Sequence, residues 1–192
     1  MRFKRRTQEK TDYVQRLALL KSGRPRLVIR RSLNNFHVQL VMTETEGDKT
    51  VAEAFSKALH KYGWKGHCGN LSAAYLTGYL VGLAAKKHNI KEAVVDLGLQ
   101  TSVRGSGLYA AALGARDAGI LISIGKEALP PMTRVTGEHV AEFAVKLKGQ
   151  EKYKKQFASY IKKGLNPEEM PKHFEETKKN IENQLKIEKA NA

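Results

Sequence analysis

Between Gly69 and Ile124 the chain alternates a helical run with a β-rich run twice, and no other feature narrows its fold as far. Leu71–His88 is a long, weakly polar stretch that Asn70 is placed to cap. Lys86, Lys87 and His88 occupy its last turn, where cations suit the helix dipole, and Asn89 is a suitable C-cap. The run Glu92-Ala93-Val94-Val95-Asp96-Leu97 then reads as a strand. A loop of Gly and Ser residues, Gly98–Gly105, leads into a second helix, Leu108–Ala118, which Gly119 ends. Ile120–Ile124 is apolar and β-branched, so it reads as another strand. The alternation predicts an α/β fold, a mixed β-sheet with packed helices. A membrane span needs about 20 apolar residues. Leu71–Ala85 falls short of that and contains Ser72 and Thr77, so it reads as a buried helix. Its Gly78-x-x-x-Gly82 spacing reads as close packing of that helix on a sheet.

Upstream, Leu27-Val28-Ile29 and Phe36–Val41 predict a β-hairpin, with Leu33-Asn34-Asn35 supplying the turn. Phe36, Val38 and Leu40 alternate with His37, Gln39 and Val41, which predicts one buried face. Gly47-Asp48 marks a further turn and Thr50–Phe55 a third short strand. Residues 1–25 read as a basic arm, with helical potential over Asp12–Lys21 and a stop at Ser22-Gly23-Arg24-Pro25. Downstream, Pro130-Pro131 breaks the chain, Gly137–Lys148 reads as a helix, and Asn166-Pro167-Glu168-Glu169 starts another. Phe174, Ile181 and Leu185 give that last helix a thin apolar stripe for packing on the body or a partner. The expected organisation is an arm (1–25), an α/β core (26–125) and a mostly helical C-terminal extension (126–192).

Charge divides along the same lines. The net charge is +15, of which residues 1–31 carry +9, residues 32–145 carry +1 and residues 146–192 carry +5. A near-neutral body with one strongly basic end points to a polyanionic partner. Eight of the 11 cations in residues 1–31 are Arg, whose planar fork binds phosphate bidentately and stacks on bases. The C-terminal cations are all Lys interleaved with Glu, the pattern of a solvated helix face. The residues expected at a nucleic-acid contact are therefore Arg2, Phe3, Lys4, Arg5, Arg6, Lys10, Tyr13, Arg16, Lys21 and Arg24 of the arm. Arg26, Arg30, Arg31, Ser32, Asn34 and Asn35 of the hairpin join them, with Arg104 of the later loop. Phe3 and Tyr13 provide rings for stacking on unpaired bases.

Other chemistry is sparse. The one cysteine, Cys68, forms no intramolecular disulfide and suits a reducing cytosol. No apolar run follows the N-terminal cations, so no secretion signal is expected. Gly105-Ser106-Gly107-Leu108-Tyr109-Ala110 fits G-x-G-x-x-[GA] between a strand and a helix, with Glu127 beyond the next strand. This motif supports the alternative of a nucleotide-dependent α/β enzyme. The long turn before it argues instead that the glycines admit a close backbone approach. Asp96 and Asp117 read as a strand-end and a helix-end carboxylate, and His60, His67 and Cys68 lack a fourth partner at metal-ligand spacing. No cofactor is expected, nor a membrane partner, since no basic amphipathic helix with large apolar anchors is present.

The run TDYVQRLALLKSGRPRLVIRRS, Thr11 to Ser32, resembles the N-terminal signature of a universal large-subunit ribosomal protein family, number eighteen in its series, that binds 5S ribosomal RNA. The resemblance continues in GNLSAAYLTGYLVGLAA (69–85), EAVVDLGL (92–99), GSGLYAAALGARDAG (105–119), GEHVAEF (137–143) and LNPEEMPKHFEE (165–176). Residues after about Ile124 resemble the extension of archaeal and eukaryotic members, and the length resembles the archaeal ones. The resemblance implies a non-enzymatic, structural part of the large subunit in the central protuberance, cytoplasmic and not an independent homo-oligomer. It implies 5S RNA bound by the arm and hairpin, attachment to 23S RNA, and a neighbour in the other 5S-associated protein, number five of the series. Arg5, Arg6, Tyr13, Arg16, Arg30 and Ser32 match family positions near the RNA. The family more often has Asn directly after Ser32, where Leu33 stands here, and a polar or basic residue at Gly107.

Overall fold

The computed structural model describes residues 3–190, the side chains of 185–190 excepted. Arg2 lies outside the described residues, and so does the side chain of Leu185 in the expected apolar stripe. The arm holds a single helical turn, α1 (Lys4–Thr7), and α2 (Tyr13–Lys21), which Asp12 caps by accepting from the amides of Val14 at 2.9 Å and Gln15 at 3.2 Å.

Three antiparallel strands follow, β1 (Arg26–Arg31), β2 (Phe36–Glu44) and β3 (Gly47–Phe55). The third strand is longer than expected, because the turn falls at Thr45-Glu46 and Gly47-Asp48 already belongs to the ladder. A 3₁₀ segment (Ser56–Tyr62) leads to α3 (Leu71–Lys87), which Asn70 caps at 2.7 Å from the Ala73 amide. The C-cap is His88, one residue earlier than expected, and Asn89 just past it takes φ +56°, the left-handed turn that ends the helix. Then come β4 (Glu92–Asp96), α4 (Gly107–Asp117) and β5 (Leu121–Ile122). β4 pairs in parallel with β1, and β5 in parallel with β4, giving the order β3-β2-β1-β4-β5. The last strand keeps two residues of the five expected.

The alternation in β2 acts as expected: Phe36, Val38 and Leu40 are buried with Leu27 and Ile29 of β1. Val41 is buried as well, next to a register shift between Leu40 and Val41. One sheet face is covered by α3 and α4, which cross in contact. The small residues of α3 serve that helix pair rather than a helix–sheet contact. A Cβ at Gly78 would overlap the Ala111 carbonyl, and one at Gly114 would overlap the Tyr75 carbonyl.

Beyond β5, Gly137 at φ +88° separates α5 (Met132–Thr136) from α6 (Glu138–Leu147). Two short helices, α7 (Glu151–Gln156) and α8 (Ala158–Lys162), lead to α9 (Met170–Ala190). The apolar stripe of α9 is real: Met170, Phe174 and Ile181 are fully buried, and the Phe174 ring lies 5.5 Å from that of Tyr75 on α3.

Candidate nucleic-acid interface

The sheet face not covered by α3 and α4 carries the chain's densest charge. Its centre is a ladder of three arginines and two aspartates. Asp48 of β3 accepts from Arg16 of α2 and from Arg26 of β1, both at 2.7 Å. The other side of the Arg26 guanidinium reaches Asp96 of β4 at 2.9 Å, and Arg30 reaches the second oxygen of Asp96 at 2.9 Å. Arg30 also donates to the Asp96 and Ile29 carbonyls at 2.7 and 2.9 Å. β1 lies between β2 and β4, so its outward residues at 26 and 30 meet Asp96 of the adjacent β4, and Arg26 also reaches across β2 to Asp48 of β3. Burial pushes the Asp48 carboxyl up, but Arg26 and Arg16 outweigh it and hold it below its ordinary value.

These pairs sort the expected contact residues. Arg26 is 4% exposed and committed to Asp48 and Asp96, so it builds the platform rather than presenting a free guanidinium. Arg30 is half-exposed and held by Asp96, and Arg16 is held by Asp48. Arg24 pairs with Glu92 at 3.4 Å, and Arg104 with Glu127 at 3.6 Å, both at the surface. Ser32 and Asn35 close the β1–β2 turn on each other: the Ser32 hydroxyl donates to the Asn35 carbonyl at 3.1 Å and accepts from the Asn35 amide at 3.2 Å. Asn34 and Leu33 stand exposed at the tip.

The remaining cations are open. Lys4, Arg5, Arg6, Lys10, Lys21 and Arg31 are exposed, and among the described residues none is bridged by a carboxylate. Phe3 stacks on Tyr13 with ring centroids 4.8 Å apart, beside these cations. Neither α1 nor α2 has a buried residue, and Val14 and Leu17 point outward. The arm is thus held to the body by polar contacts over a cavity of about 280 Å³ lined by Arg5, Lys10, Arg16 and Arg30.

The sequence reading missed two parts of this face. Asp48 and Asp96 position the arginines, and Phe55 packs its ring edge-on against His37, centroids 5.9 Å apart. Phe55 is 40% exposed at an outward position of β3, opposite His37. An aromatic at an outward position of a strand was the available signal. The other candidate groups are occupied elsewhere. Asp117 accepts from the Tyr75 hydroxyl at 2.9 Å, the His60 ring meets the Trp64 carbonyl at 2.6 Å, and the His67 Nδ1 accepts from the Gly69 amide at 3.0 Å.

A family model described as "Ribosomal large subunit proteins 60S L5, and 50S L18" matches residues 1–94, the arm and sheet meander through α3 and into β4. The large ribosomal subunit protein uL18 of Methanococcus maripaludis is 50% identical over 182 residues, covering 94% of each chain. This chain belongs to the uL18 family. Membership makes it a structural, non-enzymatic component of the large ribosomal subunit, located with the ribosome in the cytoplasm. The 94% coverage means that the likeness to the uL18 relative runs through α5–α8 and into α9. No helix among the described residues is long and apolar enough to cross a membrane.

Proposed function

We propose that this uL18 protein binds 5S ribosomal RNA through its arm and the adjoining end of the sheet, and helps attach that RNA to 23S RNA in the central protuberance. The other 5S-associated large-subunit protein would be its neighbour. The observation that carries the reading is the division of the cations. Arg16, Arg26 and Arg30 are neutralised within the fold, while Lys4, Arg5, Arg6, Lys10, Lys21 and Arg31 face solvent with no carboxylate bridging them among the described residues. Phosphates on such cations displace condensed counterions, so affinity falls as salt rises. Rings at Phe3 and Tyr13 and the exposed amide of Asn34 suit unpaired bases and sugars. With no buried apolar residue, the arm gains its fixed place chiefly when RNA supplies the missing contacts.

The test is a titration of the full chain against 5S RNA and an unrelated RNA of equal length over a range of salt. Preference for 5S RNA is expected at every salt concentration, and equal affinity throughout would overturn the specificity. Deleting residues 1–21 should flatten the salt slope and leave the body folded; an unchanged slope would remove the arm from the interface.

A further inference from the structure

At the opposite end of α3 and α4 from Lys87 and Asp117, the N-termini of both helices open onto one cavity of about 340 Å³. Asn70 and Ser106, the two N-cap residues, line it, and Gly105-Ser106-Gly107, the start of the G-x-G-x-x-A run, form one wall. The helices have 17 and 11 residues, so each brings the partial positive charge of a helix N-terminus and first-turn amides, of which Asn70 takes that of Ala73. Three cationic or ionisable side chains converge from separate elements: Arg31 from the end of β1, Arg134 from α5 and His139 from α6. No carboxylate among the described residues bridges Arg31 or Arg134. Burial and the neighbouring Arg134 hold the His139 imidazole below its ordinary value, against smaller opposing effects of a hydrogen bond to the Thr133 backbone and of Glu142.

Ser106 supplies an independent sign. As the N-cap of α4 its hydroxyl would ordinarily accept from the helix amides, yet it makes no cap hydrogen bond. Its Oγ is buried and has no partner among the described residues. A buried hydroxyl left in this state is costly, and a ligand oxygen accepting from it removes the cost. Gly107 stays small for a visible reason, since a Cβ there would collide with the Phe36 ring that walls the cavity. A side chain longer than glycine would also screen the α4 amides from a ligand.

We propose that this cavity is a phosphate site that takes one backbone phosphodiester of the RNA. Resting on the RNA-binding reading above, it draws the C-terminal extension into the interface through Arg134 and His139. In this arrangement Arg31 and Arg134 neutralise the phosphate, the Ser106 hydroxyl and first-turn amides of α3 and α4 donate to its oxygens, and Gly105 and Gly107 keep the approach open. The glycine motif thus serves phosphate binding for the same physical reason as in nucleotide sites, without a dinucleotide.

The experiment follows the His139 imidazole resonance of the full chain by NMR while inorganic phosphate, and separately 5S RNA, is added. It is repeated with Arg134→Gln and Ser106→Ala. Both exchanges are at the surface or shorten a side chain, and thermal melts report whether each variant is folded. RNA is expected to shift the resonance and raise the imidazole's titration midpoint. Arg134→Gln is expected to weaken RNA binding about tenfold, the loss of one charge-assisted contact, and to lower the salt slope by about one. A shift with inorganic phosphate as well supports a site that also takes the free ion. A shift with RNA alone supports the phosphodiester as its source. An unmoved His139 together with unchanged affinity of folded Arg134→Gln, while RNA still binds in a salt-dependent way, overturns the site and leaves the arm interface standing. Binding of inorganic phosphate here without any binding of RNA overturns the reading on which the phosphodiester rests.

Discussion

Asp96 is 5% exposed and lies between Arg26 and Arg30, so it is the residue on which the charged face most depends. The Arg26 guanidinium is 4% exposed, and its Nε already lacks a partner among the described residues. Removing the Asp96 carboxylate therefore leaves this buried cation with Asp48 alone, and takes from Arg30 its one carboxylate among the described residues. Asp96→Asn is expected to destabilise the fold by about 3–5 kcal/mol, the range for breaking one half of a buried ion pair. Asp48→Asn should cost about 1 kcal/mol, because water reaches that carboxylate and screens its loss. Urea unfolding of the two variants checks the order; equal losses would show that Asp96 holds Arg26 no more than Asp48 does. The same pair explains what the sequence left hidden. Arg26 has the composition of a contact residue and sits in a run of contact residues. Its carboxylate stands 70 positions away on a strand that becomes its neighbour only through a parallel crossover. The strand period puts Arg26 on the outward face with Arg30, and Arg31 on the other face, where its guanidinium stays exposed above the Phe36 ring, but it does not show that Arg26 is the one buried between carboxylates.

The elements were legible where periodicity and caps agree. Asn70 and Asn89 bound α3, and the alternation Phe36, Val38, Leu40 shows which face of β2 is buried. What packs on what was less legible. Gly78 and Gly82 signal close approach but name no partner, and the partner is α4, not the sheet. Gly114 is the reciprocal residue, facing the Tyr75 carbonyl and the Tyr79 amide. Backbone atoms cannot swing aside as a flexible side chain can, so Gly114→Ala must push the helices apart. The expected loss is about 1–3 kcal/mol or more, the range for overpacking a well-filled core. The denaturation midpoint should fall accordingly, whereas an unchanged midpoint would mean the crossing tolerates a wider separation. Strand ends were the least legible. β5 stops after two paired residues, although four of the five residues in Ile120–Ile124 are apolar, because apolar character alone does not fix pairing: Leu121 pairs yet is 69% exposed, while Ile120 is buried outside the ladder.

At the scale of the whole molecule, α9 joins the C-terminal helices to the body alongside α5, whose Val135 carbonyl accepts from the Ser72 hydroxyl at 2.7 Å. Besides its buried Met170, Phe174 and Ile181, α9 places the His173 ring on that of Trp64, with centroids 5.1 Å apart. The His173 Nε2 accepts from the Lys65 amide at 3.0 Å, which requires that nitrogen to be unprotonated. Tyr79 donates to Glu182 at 2.6 Å, and the Lys178 ammonium lies 5.1 Å from the Tyr79 ring centroid. Burial holds the His173 imidazole below its ordinary value; Lys65 acts in the same direction and Glu176 against it. The unfolded chain therefore takes up a proton at a higher pH than the folded one. The stability this group contributes is fully present above the ordinary histidine value of 6.5 and is lost as pH falls through the lower folded value. His139 is shifted in the same direction, so both act in one window below neutrality. Thermal melts between pH 7.5 and 5 should show stability falling with pH, by less than about 1.4 kcal/mol per pH unit for each histidine. His173→Phe keeps a ring against Trp64 but neither titrates nor accepts the amide. It should lower stability at pH 7.5 and reduce the dependence on pH, leaving the share of His139. The same dependence in wild type and variant would show that the α9 clamp is indifferent to the charge of His173.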